Sequence, residues 1–448
     1  MATPTVWLPE FQVNTGVADA PVVEDTQTIG LSNGNILIAW TEQGTSGVGT
    51  SNSGDIVAKI IDGAGNTVRD SFRVNRSYSS DNESDFDIAA TNDGGFVLVY
   101  IDRESVSSRL VWERKDAVGD NVVTSVIDAE IDPSEDLSNP QVAVNAADNT
   151  SFISFVEIAP GDDAFSADIR GIRLSDTGGF LTGIFDAGDN ATGAQTQNDV
   201  AINTNGEMVS VYSDAGAITV DVLSNGGILQ HRAIAAVAAA PLDPQVATLA
   251  NGNIATTWTD GVGASSDGTV RLAVYNADLG MVRAATAVDA VDATDSEIVA
   301  LPDGEFVIVW KDTSANTIKA QKYDSDGTAD GSTVTVDNSE GFTPNVGVTG
   351  DGRVLFTWEG DGDVKASIWD PRDGAINTAT YDDPPVNFVD GDVIYAKTTG
   401  GTVNGTMAPP TGSSAAARPI FCRAWATTTR WKATAVMIPF PVAAAMTA

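Results

Sequence analysis

The residues best suited to chemistry in this sequence are acids that recur at one position of a repeat. An acid stands two residues after an aromatic side chain six times: Glu42, Asp102, Glu157, Asp214, Asp260 and Asp312. After a seventh aromatic, Trp358, acids stand at offsets one and three, Glu359 and Asp361. Equivalent positions of a closed repeat share one face, so these carboxylates are predicted to encircle one end of the molecule. Because Ca²⁺ prefers oxygen ligands, the pattern suggests a ring of calcium ligands.

The same acids also have a purely structural interpretation. An acid at the end of a strand can accept backbone N–H groups of its own loop. Two further acidic turns, Asp324-Ser-Asp326-Gly327 and Asp361-Gly-Asp363, resemble the opening of a calcium loop. Neither is followed by the bidentate Glu of an EF-hand, which favours ordinary turns.

Few other residues offer catalytic chemistry. The single histidine, His231, has no Gly-x-Ser-x-Gly nucleophile elbow to serve, so it is interpreted as an exposed strand residue. A glycosidase-like pair of carboxylates could be drawn from the 61 acids, but spacing along the chain does not identify one. One His and one Cys exclude sites with two or more imidazoles, disulfide frameworks and iron–sulfur clusters.

Composition narrows the class of protein further. The 448 residues carry 61 acidic and 24 basic side chains, a formal net charge of −37, which argues against nucleic acid as a partner. With 42% hydrophobic and 19% charged residues, the bulk of the chain is predicted to be globular, and a monomer is expected. No stretch approaches the roughly 18 apolar residues of a membrane span, and the N-terminus does not resemble a signal peptide.

A repeat positions the acids. A turn dipeptide precedes each aromatic by seven residues, and the aromatics recur every 53 residues on average. The seven pairs are Asn33-Gly34 with Trp40, Asp93-Gly94 with Tyr100, Asp148-Asn149 with Phe155, Asn205-Gly206 with Tyr212, Asn251-Gly252 with Trp258, Asp303-Gly304 with Trp310, and Asp351-Gly352 with Trp358. Asn-Gly and Asp-Gly are typical of two-residue type I′ hairpins, so each unit is predicted to contain a hairpin at this point.

Three to four short strands per unit, without a helical period, indicate a propeller. The first strand carries Val or Ile beside a small residue, and the second is a continuous apolar run such as Phe306–Trp310. Phe11-Gln-Val-Asn14 repeats Phe72-Arg-Val-Asn75, which predicts that the N-terminal strand completes the last blade. We therefore predict an all-β, seven-bladed β-propeller of four-stranded repeats over residues 1–385. An open β-solenoid or a pair of β-sandwiches is the alternative.

The unit also resembles a known family. Ile298-Val-Ala-Leu-Pro-Asp-Gly-Glu-Phe-Val-Ile-Val-Trp310, followed by Asp324-Ser-Asp-Gly327, is similar to the blade-like repeats upstream of the glycine-aspartate nonapeptides of RTX proteins. The resemblance covers most of residues 10–383. It implies a calcium-binding protein that leaves the cell by type I secretion and acts outside it. The nonapeptide array itself is missing from the sequence as written.

The C-terminal part differs in composition. After Asp392 there is no acid, and alanine is frequent from Met407 onward. If the codons are read one base earlier, alanine can become glycine and threonine can become aspartate, the residues of the missing array. Our hypothesis is that residues 386–406 form a linker and that 407–448 are a disordered, out-of-frame tail created by a frameshift. A genuine Ala/Thr/Pro-rich disordered tail is the alternative.

These observations suggest a non-catalytic, calcium-associated binding or surface protein, adhesin-like and extracellular, with an unknown ligand such as carbohydrate. The chain as written lacks an evident export signal of its own. The competing hypothesis is a polysaccharide hydrolase or lyase on a propeller scaffold. It predicts a deep axial funnel with two carboxylates beside exposed aromatics.

Overall fold

A computed structural model of the protein describes 14 segments of the chain. They are residues 4–14, 22–43, 54–76, 82–104, 107–127, 136–158, 167–188, 194–214, 216–224, 227–234, 241–262, 265–289, 292–338 and 341–372. The described residues form 28 β-strands and no helix. The predicted linker and tail lie outside them.

Five sheets have four antiparallel strands each, and a sixth has eight. The first four are β2 to β5 (Val22–Gly30, Ile36–Gln43, Asp55–Ile61, Thr67–Arg73), β6 to β9 (Asn82–Ala90, Phe96–Glu104, Ser107–Lys115, Asn121–Val126), β10 to β13 (Asp136–Val144, Ser151–Ile158, Asp168–Leu174, Phe185–Asp186) and β14 to β17 (Gln195–Ile202, Met208–Asp214, Ala217–Ser224, Gly227–Ile234). The eight-stranded sheet contains β18 to β21 (Pro241–Thr248, Ile254–Val262, Ser265–Tyr275, Met281–Ala287) and β22 to β25 (Ala293–Ala300, Phe306–Asp312, Thr317–Tyr323, Ala329–Asp337). The last sheet joins β1 (Thr5–Gln12) to β26 to β28 (Phe342–Val348, Val354–Gly360, Asp363–Asp370).

The eight-stranded sheet consists of two four-stranded units. β18 to β21 and β22 to β25 each repeat the order of the other sheets, and a single residue pair, Gly268 with Ala293, connects them. The first strands of successive units (β2, β6, β10, β14, β18, β22 and β26) contact one another in order, and β26 contacts β2. The repeat therefore closes on itself, which is the β-propeller architecture.

Small residues on the first strands allow this close approach. A Cβ atom on Gly30 would lie 1.7 Å from the carbonyl oxygen of Val348, and one on Gly347 would lie 2.8 Å from that of Thr28. Both contacts join β2 to β26, where the cycle closes. The prediction that small residues mark a crowded strand is confirmed at this seam.

The second strand of each unit is its most buried one. Every residue of β23, Phe306–Asp312, is buried, as expected for a strand covered on both faces. The hydrophobic core is divided into clusters that two neighbouring units share. One joins Leu37 of β3 to Leu98 of β7, and another joins Val307 of β23 to Phe356 of β27. Successive sheets are thus held together mainly by apolar side chains between their faces.

The turn after the first strand differs from the predicted type I′ hairpin. In Leu31–Asn35, the N–H of Gly34 donates to the carbonyl of Leu31, and the N–H of Leu31 donates to that of Asn35. Gly34 has φ 89°, whereas Asn33 is not left-handed, so the connection is a type I turn followed by a glycine bulge. The Asn33 side chain accepts the N–H of Asn35 at 2.9 Å and thereby supports the turn. The type I′ prediction is wrong because only the second residue needs a positive φ.

The N-terminal strand completes the last sheet, as predicted. β1 pairs antiparallel with β28, including Phe11 opposite Ala366. The repeated Phe-x-Val-Asn motif has one role at both sites. The Asn14 side chain accepts the N–H of Val364 at 3.1 Å, and the Asn75 side chain accepts that of Ile56 at 3.1 Å. Among the described residues, no helix is long and apolar enough to cross a membrane.

Candidate functional site

The six predicted calcium ligands lie at equivalent places in the structure. Each pairs with the beginning of the first strand of its own unit, as Glu42 does with Val23 and Asp102 with Glu83. The other four pairs are Glu157 with Leu137, Asp214 with Gln195, Asp260 with Pro241, and Asp312 with Ala293. All six acids therefore occupy the same end of their sheets.

Most of these acids bind groups within their own sheet. Glu42 accepts the indole N–H of Trp40 at 3.3 Å, and Asp260 accepts that of Trp258 at 2.8 Å. Asp260 also binds Arg271 at 2.8 Å, and Glu157 lies 3.2 Å from Arg170. Asp312 accepts the N–H of Ala315 at 2.8 Å and pairs with Lys319. Of these contacts, the one between Asp312 and Ala315 is the loop backbone contact that the structural interpretation predicts, and the others are made with side chains of the same sheet.

The predicted ligands are not brought together around one ion. Ca²⁺ binds its oxygen ligands at about 2.3–2.6 Å, so ligand atoms of one site lie within about 5 Å of each other. Among the described residues, only Glu305, Asp324 and Asp330 form a trio of acids with oxygens within 4.8 Å. None of the six predicted ligands belongs to it, so they do not fit one shared calcium ion.

That trio includes the first acid of the Asp324-Ser-Asp326-Gly327 turn. The ammonium of Lys322 lies 2.9 Å from Glu305 and 2.5 Å from Asp330, so a cation already neutralises two of the three acids. Asp326 accepts the N–H of Thr328 at 2.8 Å, as an ordinary turn residue does. The arrangement fits the interpretation of this segment as a turn.

His231 lies on β17, the last strand of its sheet, and its side chain is 40% exposed. Its Nδ1 is 2.8 Å from the fully buried carboxyl of Asp221, which also accepts the hydroxyl of Tyr212 at 2.8 Å. The expected exposed strand histidine is thus found, but a buried acid orients it.

A second set of polar residues was not anticipated from the sequence. Each first strand contains a β-bulge at which one residue has a positive φ and is not glycine. These residues, named here the bulge ring, are Asp25, Asp85, Asn139, Gln197, Asp243, Asp295 and Thr343, with φ between 42° and 54°. A bulge with a left-handed residue turns a side chain to a new direction and is frequent beside functional sites.

The residues two positions further along form another set, named here the latch ring. They are Gln27, Asp87, Gln141, Asp199, Gln245, Glu297 and Asn345. All fourteen positions of the two rings carry a carboxyl, amide or hydroxyl group. A sequence signal existed: six of the seven latch-ring residues directly precede the Val or Ile of the first-strand motif.

Acids of the two rings lie near one another although they come from different sheets. Burial, followed by the charges of Asp199, Asp87, Asp243 and Asp295, raises the pKa of Glu297 well above its usual value. The first strands that carry both rings contact one another in order around the closed cycle. The two rings therefore surround the propeller axis.

Several acids of the bulge ring and the latch ring have a raised pKa. Burial raises the pKa of Asp87 to about 7, and burial together with Asp87 raises that of Asp199 to about 7. Burial and then the charge of Asp295 raise the pKa of Asp243 to about 6. The side chains of Asp87, Asp199 and Asp243 are half-buried.

No basic residue lies on the strands that form this lining. Lys and Arg are absent from all seven first strands. Arg103 of β7 reaches the bulge ring, where it binds Asp85 at 2.7 Å, and it also binds Asp136 at 3.2 Å. The axis therefore carries carboxyls whose pKa is raised towards neutral pH, beside neutral amides, so that it offers both donors and acceptors of hydrogen bonds.

Comparison with known proteins gives the fold alone. No family model and no curated protein matches the chain. A solved protein of unknown function from Dyadobacter fermentans DSM 18053 is 11% identical with a TM-score of 0.50, covering 81% of this chain and 98% of its own. An α-L-arabinanase from Penicillium chrysogenum is 10% identical with a TM-score of 0.49, covering 82% and 99%. The NanB sialidase from Streptococcus pneumoniae is 11% identical with a TM-score of 0.44, covering 80% and 69%.

Proposed function

We propose that this protein is a seven-bladed β-propeller that binds carbohydrate at its axis through the bulge ring and the latch ring. The observation that carries the proposal is the oxygen-bearing side chain at all fourteen ring positions. The same strands carry Val, Ile, Ala and Gly at neighbouring positions, so the oxygen-bearing side chains are concentrated at the two rings. Amides and protonated carboxyls can donate and accept at once, which suits a ligand with many hydroxyl groups.

Two features support a count of seven blades. Seven first strands follow one another in a closed cycle. The eight-stranded sheet contains two complete four-stranded units joined by one residue pair, so it counts as two blades with a local bridge.

The electrostatics favour a neutral ligand over an anionic one. A charged acidic sugar would meet Asp87, Asp199 and Glu297 without a basic partner on any first strand. Burying an unpaired anion beside these carboxyls would be costly. The proposed ligand class is therefore neutral oligosaccharides.

The experiment is isothermal titration with arabinobiose, cellobiose, chitobiose and, as an anionic comparison, sialyllactose. At least one neutral sugar should bind, and Gln141→Ala with Gln245→Ala should weaken binding about tenfold or more, or about 1.4 kcal/mol. Gln230→Ala, on the outermost strand β17, is the matched control and should bind normally. Equal affinity in the axial and control variants, or binding of sialyllactose alone, would contradict the proposal.

Glycoside hydrolysis is the second candidate. A carboxyl with a pKa of about 7, such as that of Asp199, is partly protonated near neutral pH, as a general acid requires. Hydrolysis would be favoured if the wild-type protein releases reducing ends from a sugar and the Asp199→Asn variant does not, although the variant still binds that sugar. Binding without any release favours a carbohydrate-binding protein.

The calcium-dependent, secreted protein of RTX type remains a separate proposal, supported by the sequence of the repeat unit. It predicts that millimolar Ca²⁺ raises the melting temperature of the full chain and that EDTA reverses the rise. An unchanged melting temperature would show that the carboxylates that follow the aromatics do not bind calcium. It would leave the proposal of carbohydrate binding at the axis unaffected.

A further inference from the structure

The latch ring connects neighbouring sheets by one repeated hydrogen bond. The Asp87 side chain accepts the backbone N–H of Val142 at 2.7 Å, and the Asp199 side chain accepts that of Val246 at 2.7 Å. The Asn345 side chain accepts that of Thr28 at 2.9 Å. In every case the donor lies one residue beyond the equivalent latch-ring position of the next sheet. Three seams are therefore held by the same contact.

Only the acceptor differs between these seams. It is a carboxyl in two of them and an amide in the third, although the geometry is the same. An amide does not titrate in the physiological range, whereas a carboxyl does. The seam at Asn345 closes the cycle between β26 and β2. Of the three seams, it is the one whose acceptor stays neutral at every physiological pH.

Ionisation of either carboxyl would bring a charge next to other acids. The acids on the surrounding first strands are Glu24 and Asp25 of β2, Glu83 and Asp85 of β6, Asp136 of β10, Asp243 of β18, and Asp295 and Glu297 of β22. Arg103 of β7 balances Asp85 and Asp136. No Lys or Arg on any first strand is available to balance Asp87 or Asp199.

We propose that Asp87 and Asp199 make the stability of the closed cycle sensitive to protons: the seam hydrogen bonds favour the ionised carboxyls, but burial among the acids of the first strands outweighs them, so the cycle is more stable in acid than in alkali. Asn345 holds the closing seam independently of pH. The inference concerns the stability of the cycle and holds whether or not the axis binds a sugar.

The direction follows from proton linkage. A carboxyl whose pKa is higher in the folded than in the unfolded protein binds more protons in the folded state. Its contribution is complete below the unfolded value near 4 and is lost as pH rises towards about 7, where Asp87 and Asp199 titrate. The protein should accordingly be more stable at pH 5 than at pH 8.

The experiment compares thermal unfolding of three forms of the full chain between pH 5 and pH 8. The wild-type melting temperature should fall by several degrees over this range. Asp87→Asn with Asp199→Asn converts both seams to the amide form already present at Asn345, and should clearly reduce the fall, with the remainder left to Asp243 and Glu297. The control, Asp278→Asn with Asp361→Asn, changes the charge equally at two exposed acids and should keep it.

A wild-type melting temperature that is constant or rises from pH 5 to pH 8 would overturn the proposal. The same fall in the axial double variant as in the control would also overturn it. Should the axial variant fail to fold, carboxyl ¹³C resonances of the wild-type aspartates provide the answer. At least two of them should titrate near neutral pH, and fewer than two such resonances would contradict the inference.

Discussion

Asp221 illustrates how single buried acids are accommodated in these sheets. It is fully buried and accepts hydrogen bonds from the Tyr212 hydroxyl and from the His231 ring, each at 2.8 Å. A carboxyl with two such partners is stabilised where an isolated one would be excluded. The sequence offered no indication of this contact, because Asp221 and His231 meet only through the pairing of β16 with β17.

Replacing this acid should destabilise the protein more than replacing its exposed partner. Asp221→Ala leaves the buried Tyr212 hydroxyl without this acceptor, and we expect a loss of about 2 kcal/mol in the free energy of unfolding. His231→Ala, at a partly exposed site, should cost less than about 1 kcal/mol. Urea denaturation measures both. Equal losses would show that the imidazole, rather than the buried hydroxyl, determines the stability of this site.

The axial acids show what sequence spacing can and cannot identify at the scale of residues. The acids after each aromatic were recognisable by their regular spacing, and their common end of the sheets is confirmed by strand pairing. The latch ring has equally regular spacing, but Gln, Asp, Glu and Asn alternate within it. Its common property is an oxygen atom rather than one residue type. The convergence of Asp87 with Glu297 depends on closure of the chain over more than 200 residues and has no local signal.

At the scale of elements, the strands and their order followed from hydrophobic pattern and turn residues. The apolar run at β23 and the repeated motif at β1 both led to the correct strand. The turn type did not follow, since Asn-Gly also fits a type I turn with a glycine bulge. The bulges of the first strands were missed because Asp and Asn tolerate a positive φ without the glycine that would reveal it.

Strand β1 should contribute strongly to stability because it covers the exposed edge of β28. Phe11 packs on the cluster shared by the first and last sheets, and the Trp7 ring lies 4.1 Å from the guanidinium of Arg353. Phe11→Ala should lower the free energy of unfolding by about 2–4 kcal/mol. Val6→Ala, at a side chain that is 38% exposed, should change it by less than about 0.5 kcal/mol. Chemical denaturation compares the two, and a similar effect at both positions would show that β1 does not close the cycle.

At the scale of the whole molecule, closure explains why the axis differs from the rest of the protein. The apolar core lies between sheets, whereas the first strands meet one another around the axis and carry polar side chains there. Thirteen of the fourteen ring residues are acids or amides, and the remaining one is Thr343. Burial and the absence of basic residues on the first strands both favour the protonated form of these acids.

The central claim is that carbohydrate binds at this axis. Hydrogen–deuterium exchange of the wild-type protein, with and without saturating arabinobiose, cellobiose or chitobiose, tests it most directly. We predict slower exchange in the first strands, for example in residues 136–144 and 195–202, and unchanged exchange in outer strands such as Asn121–Val126. Protection confined to the outer strands, or to the apolar groove lined by Val334, Phe356 and Trp369, would contradict the claim, as would no protection by any of the three sugars.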